Sequence, residues 1–191
     1  MNIVFATNNP NKIKEVQSQL PDHIKLISLE EIGCLVDIPE TQDTIDGNAI
    51  QKANYIKEHY ELDCFADDTG LEVHSLEGAP GVFSARYAGP HRNSDDNMNL
   101  VLSKLDTHDN RDAQFKTVIA LYFNGELITF EGICKGEITE SKRGSDGFGY
   151  DPIFQPAAYT KTFAELSMTE KTQIGHRGKA VSKLVAFLNQ H

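Results

Sequence analysis

The stretch CFADDTGLEV, Cys64 to Val73, places two adjacent carboxylates at the end of an apolar run and ahead of a Thr-Gly pair. Phe65 and Ala66 read as a strand inside a sheet. Because successive side chains of a strand point to opposite faces, Asp67 and Asp68 should not share one role. Thr69-Gly70 reads as a turn, and the two acids read equally as turn formers or as catalytic or metal positions at a strand end. Just upstream, Ala49, Ala53, Ile56 and Tyr60 recur at helical spacing, which predicts an amphipathic helix from about Ile45.

The same alternation of strand and helix holds further out. NIVFAT reads as a buried first strand, and NNPNKIKEVQSQL as a helix with Asn9 at the N-cap, Pro10 at its first position and Ile13, Val16 and Leu20 facing inward. IKLISL is a second strand, followed by the loop VDIPETQDT. In the middle, DAQFKTVIALYF and ELITFEGICKGEI flank Asn124-Gly125, the signal of a long hairpin closed by a type I′ turn. SDDNMNLVLSKL predicts a helix capped by Ser94 with two acids in its first turn. The last helix, in HRGKAVSKLVAFL, should turn Val181, Leu184, Val185 and Leu188 inward. The expected architecture is α/β: a long mixed sheet flanked by helices, with loops at the strand ends forming a cleft.

A chain of 191 residues supports one sizeable core, or two lobes sharing a sheet, so a single domain over 1–191 is expected. With 18 Lys and Arg against 28 Asp and Glu, the net charge of −10 argues against duplex nucleic acid as a partner. Screening over about 8–10 Å still lets a local cationic cluster hold a small phosphorylated ligand. Cys34, Cys64 and Cys134 are odd in number and set among apolar neighbours, the pattern of reduced core residues and of a cytoplasmic protein. Neither a leader peptide nor a membrane span is expected.

Three segments are candidates for chemistry. TNNPNK, Thr7 to Lys12 (Thr7, Asn8, Asn9, Pro10, Asn11, Lys12), joins a strand to a helix start, where free N–H groups and partial positive charge suit an anion. It reads equally as an ordinary Asn-capped helix with a solvated lysine, and it lacks the Walker spacing. RGSDGFGYDPIF, Arg143 to Phe154, offers glycines for close backbone approach and Phe148 or Tyr150 for stacking on a base, or else is a plain loop with aromatic anchors. EKTQIGHRGK gathers Lys171, His176, Arg177 and Lys179 ahead of the last helix, where cations oppose the helix dipole. Glu40 is a lone loop acid that by itself signals nothing.

Taken in order, FATNNPNK, ADDTGLEV, GAPGVFSARYAG, GFGYDPIF and EKTQIGHRGKA, spread from residue 5 to 180, resemble the inosine triphosphate pyrophosphatase family, the non-standard purine nucleoside triphosphate pyrophosphatases. The resemblance implies two lobes around a central cleft, usually a homodimer, and hydrolysis between the α- and β-phosphates of ITP, dITP or XTP. It implies that Thr7 to Lys12 hold the phosphates and that Asp68 is proton acceptor and metal ligand, with Glu40 helping to hold Mg²⁺. Lys52 and Thr69 would contact substrate, while Phe148, Gly149, Tyr150, Asp151, His176 and Arg177 would surround the base with Lys171 close by. Asn8 stands where a glycine is frequent in the family, and Arg86 is a weak candidate. Such a reaction needs a carboxylate and Mg²⁺ beside a cationic loop, and Mg²⁺ accepts one or two carboxylates plus phosphate oxygens. Asp67, facing the other way, would support the site from behind. Two alternatives stand beside this reading: a nucleotide sensor without turnover, against which Lys12, Glu40 and Asp68 argue, and a pyrophosphatase for modified pyrimidine triphosphates.

Overall fold

The computed structural model describes Met1–Gln190. Six strands form one mixed sheet in the order β2-β1-β3-β4-β5-β6. They are β1 (Asn2–Phe5), β2 (Lys25–Ile27), β3 (Cys64–Val73), β4 (Asp112–Phe123), β5 (Glu126–Ile138) and β6 (Phe154–Pro156). β1 runs parallel to β2 and to β3, with Phe5 opposite Phe65, whereas β5 and β6 are antiparallel. The helices are α1 (Pro10–Gln17), α2 (Ile45–Tyr60), α3 (Ser94–Lys104), α4 (Met168–Ile174) and α5 (His176–Leu188).

The local signals explain most of these boundaries. Asn9 caps α1 by accepting from the Asn11 and Lys12 N–H groups at 2.9 and 3.3 Å, and Pro10 occupies the first helical position, where its missing N–H costs nothing. Asn124 and Gly125 take positive φ of 50° and 85°, as the hairpin turn between β4 and β5 demands. Two expectations are corrected. Ser94 is not the cap of α3: Asn93 is, its side-chain oxygen accepting from Asp95 and Asp96, and Ser94 is the first helical residue. Thr69-Gly70 is not a turn either, since β3 continues unbroken to Val73 and keeps both acids inside a strand.

The chain divides into two compact units, one of Met1–Asp68, Thr117–Gly132 and Arg177–His191, the other of Thr69–Lys116 and Ile133–His176. The first is built on Ile3, Phe5, Val16, Phe65, Ile119, Val181 and Leu184. The Phe5 and Phe65 rings stack at 4.4 Å across the parallel pair. Val181, Leu184 and Leu188 are buried as the α5 periodicity predicts, and Val185 packs against the edge of that core. The second unit is built on Leu71, Val101, Phe115, Tyr150, Phe154 and Phe163.

Candidate active site

In the first unit, β1 and β3 run side by side and the chain leaves β1 toward α1 at the carboxyl end of the strand, the place where open α/β sheets collect ligands. Thr7 tightens that exit by accepting the Asn9 N–H at 3.2 Å. From the first turn of α1, Lys12 donates to the Asp67 carboxylate at 2.9 Å. Arg177, in the first turn of α5, donates from Nε to the other carboxylate oxygen at 3.2 Å and from Nη1 to Glu15. Lys52, on α2, donates to the Asp67 carbonyl oxygen at 2.7 Å and to the Glu40 carboxylate. One helical turn earlier, Asn48 donates to Asp68 at 3.2 Å and accepts the Gln42 N–H at 2.9 Å. Asp67 is the point on which Lys12, Lys52 and Arg177 converge, the first and last on its carboxylate and Lys52 on its carbonyl oxygen.

The two neighbouring acids have opposite electrostatics. Burial pushes the Asp67 carboxyl up, but Lys12, Arg177 and Lys52 together outweigh it and hold the group well below the usual carboxylate range. For Asp68, burial wins over the attraction of Lys52 and Lys12, and Glu40 adds like-charge repulsion, so its pKa is raised. Burial lowers the Lys12 ammonium against the pull of Asp67. On Lys52 the same burial is overcome by Asp68, Glu40 and Asp67, and its pKa rises. The same surroundings thus drive two adjacent carboxyl groups in opposite directions.

The second unit carries another cluster around Asp151, which is 2% exposed. Its Oδ2 accepts the Phe148 N–H at 2.7 Å and the Lys171 ammonium at 2.7 Å. The ammonium also lies 4.9 Å from the centroid of the Phe148 ring and 5.7 Å from that of Phe163, within cation–π range. Gly147 makes the tight turn possible: it has φ of 77°, and a Cβ there would stand 2.1 Å from the same Asp151 oxygen. Phe148 and Gly149 are half-buried, whereas Tyr150 is sunk in the core with its hydroxyl donating to the Ser84 carbonyl oxygen at 2.7 Å. The His176 ring stacks on Phe115 at 4.5 Å. Thr69 is half-buried on β3.

Of the residues read from the sequence, Lys12, Glu40, Lys52, Asp68 and Arg177 share the first cluster, and Phe148, Asp151 and Lys171 share the second. His176 and Arg177, taken from the sequence as a pair, go to separate partners: the imidazole to Phe115, the guanidinium to Asp67 and Glu15. Glu15 and Asn48 escaped the sequence reading. Their only signal is helical phase, Glu15 lying three residues after Lys12 and Asn48 four before Lys52. Among the described residues no group of three or more His, Cys, Asp or Glu is arranged to hold a metal ion. Glu40 and Asp68, two carboxylates flanking Lys52, do match the donor set of an Mg²⁺ ion that takes its remaining ligands from water and phosphate.

The sequence model of the Ham1 family matches residues 3–187. The chain belongs to the Ham1 family. It is 60% identical over 188 residues to a dITP/XTP pyrophosphatase of Flavobacterium johnsoniae, covering 98% of each chain. It is 49% identical to the dITP/XTP pyrophosphatase of Porphyromonas gingivalis, covering 97% of this chain and 96% of the relative. The solved Ham1 protein of Staphylococcus aureus superposes with a TM-score of 0.91 at 40% identity, covering 100% of this chain and 99% of that one. A Ham1 protein from Coxiella burnetii gives a TM-score of 0.92 at 40% identity over the full length of both.

Proposed function

We propose that this protein hydrolyses the non-standard purine nucleoside triphosphates ITP, dITP and XTP to the monophosphate and pyrophosphate, clearing them from the cellular nucleotide pool. The observation that carries this reading is the pair Asp67 and Asp68: one carboxylate held ionised by Lys12 and Arg177, with Lys52 on its backbone carbonyl oxygen, and its neighbour with a raised pKa beside them. A water attacking the α-phosphorus loses a proton, and Asp68, more basic than an ordinary aspartate, accepts it. Lys12, Lys52 and the Thr7 to Lys12 segment stabilise the triphosphate. Glu40 and Asp68 would hold Mg²⁺, which when bound would supply charge neutralisation of phosphate oxygens.

Recognition of the purine is assigned to Phe148–Asp151, Lys171, His176 and Arg177. The Phe148 ring stacks on any base, while donors facing the 6-oxygen favour hypoxanthine and xanthine over adenine, whose amino group would place donor against donor. Thr69 contacts substrate, and the working form is a homodimer in the cytoplasm. No described helix is long and apolar enough to cross a membrane. Turnover of a triphosphate panel with Mg²⁺ and with chelator, followed by phosphorus NMR, tests the reading. Pyrophosphate and IMP are expected from ITP, and inosine diphosphate with orthophosphate as first products would refute it.

A further inference from the structure

The segment GVFSAR, Gly81–Arg86, forms a short 3-10 helix whose Phe83 is 56% exposed, yet at its centre Ser84 is half-buried and heavily bonded. The Ser84 hydroxyl accepts the Leu71 N–H at 2.9 Å and donates to the Gly81 carbonyl oxygen at 2.6 Å. Its carbonyl oxygen accepts the Tyr150 hydroxyl at 2.7 Å and the Asn97 amide at 3.4 Å. Asn97, buried on α3, also donates to the Ala85 carbonyl and accepts the Ala88 N–H at 2.7 Å, so the segment is held along its length.

We infer that Ser84 is a positioning residue: it ties β3, three residues beyond Asp68, to Tyr150 and through Tyr150 sets the turn that carries Phe148 and Asp151. The turn is closed on itself by Phe148 N–H to the Asp151 carboxylate and by Asp151 N–H to the Phe148 carbonyl at 3.3 Å. Lys171 on Asp151 and the Ser84 carbonyl on Tyr150 hold it from outside. The first orients charge and ring. The second fixes depth, because a core-buried phenol that loses its acceptor leaves a polar group unpaired. On this account Tyr150 is an anchor and not a stacking surface. The effect on substrate rests on the base-recognition role proposed above; the effect on the turn does not.

Ser84→Ala, Ser84→Thr and Tyr150→Phe are to be compared with the parent by amide hydrogen exchange and by steady-state kinetics with ITP. Tyr150→Phe, which removes the bond to the Ser84 carbonyl, and Ser84→Ala, which keeps that carbonyl but frees its segment from Leu71 and Gly81, should each speed exchange of the Phe148 amide about tenfold while leaving Val4 on β1 unchanged. They should raise KM about fivefold to tenfold with kcat within twofold. Ser84→Thr, which keeps the hydroxyl, should restore parent values. Unchanged Phe148 exchange, or exchange accelerated evenly through the chain, overturns the assignment. If Ser84→Ala does not fold, Tyr150→Phe, which removes a single oxygen, decides by the same two outcomes. A parent enzyme that turns over no triphosphate sinks the catalytic reading and leaves the exchange comparison to decide this one.

Discussion

Asp67 and Asp68 are adjacent on β3, both buried, at 0% and 8% exposure, and their pKa values are driven in opposite directions. Three cations account for the first shift and desolvation for the second. Replacing either carboxylate should therefore produce different failures.

Asp68→Asn should lower kcat by about 10²–10⁴, the usual loss on removing a general base. Pyrophosphate release by the purified, folded variant measures this, and activity equal to the parent would remove Asp68 from the mechanism. In the parent, the acid limb of kcat/KM should lie above the ordinary aspartate value of about 3.9.

The same substitution should stabilise the metal-free protein at neutral pH. A carboxyl whose folded pKa exceeds its unfolded one contributes stability that is complete below the unfolded value and is lost as pH rises through the folded one. At pH 7 the parent carries that cost and Asp68→Asn does not. Its melting temperature should exceed the parent's, by about 2–4 °C per kcal/mol removed, with the gap closing toward pH 4. A lower melting temperature for Asp68→Asn at pH 7 would contradict the burial argument.

Asp67→Asn should behave as a stability mutant first. It leaves the buried Arg177 and the Lys12 ammonium short of a counter-charge, a loss of about 3–5 kcal/mol for a broken buried pair. Because the folded pKa is depressed, this contribution is present above the unfolded value of about 3.9 and is lost as pH falls through the folded value. Urea midpoints should thus separate parent and variant widely at pH 7 and converge in strong acid.

Lys12→Ala should raise KM for triphosphate at least tenfold, through loss of a charge-assisted contact. It should also cost about 1.5–3 kcal/mol, because the ammonium is committed to Asp67. Kinetics and urea denaturation on one preparation separate the two. A fully stable variant would show that Asp67 is satisfied by Arg177 and Lys52 alone.

Arg177→Ala should lose ITP turnover and shrink the ITP-to-ATP ratio of kcat/KM, with the GTP ratio changing less. Each mispaired group costs about 1–3 kcal/mol, so a single guanidinium can shift the ratio up to about 150-fold. An unchanged ratio would leave base selection to the Phe148–Asp151 turn and confine Arg177 to its carboxylates.

The strand at Cys64, the Asn9 cap and the Asn124-Gly125 hairpin were legible because their causes are local: apolar runs, a side-chain oxygen two or three residues from its donor, two residues that accept positive φ. The cap of α3 slipped by one because Asn93 and Ser94 are both good caps in adjacent positions, and only backbone geometry chooses between them. Thr69-Gly70 read as a turn from composition, but pairing within the sheet overrode that preference. The hub role of Asp67 left no local trace at all. It is made by Lys12 from 55 residues away and Arg177 from 110, and no window of sequence contains both ends of either bond.

Convergence on the one buried residue Asp67 restrains Lys12, Lys52 and Arg177 before any ligand arrives. All three lose rotational freedom when the chain folds, so on the proposed reading a polyphosphate meeting Lys12 and Lys52 need not immobilise them on arrival, yet would share their charge with resident carboxylates. Pyrophosphate, on the same reading, would leave lysines whose charge Asp67 and Glu40 balance once it has gone.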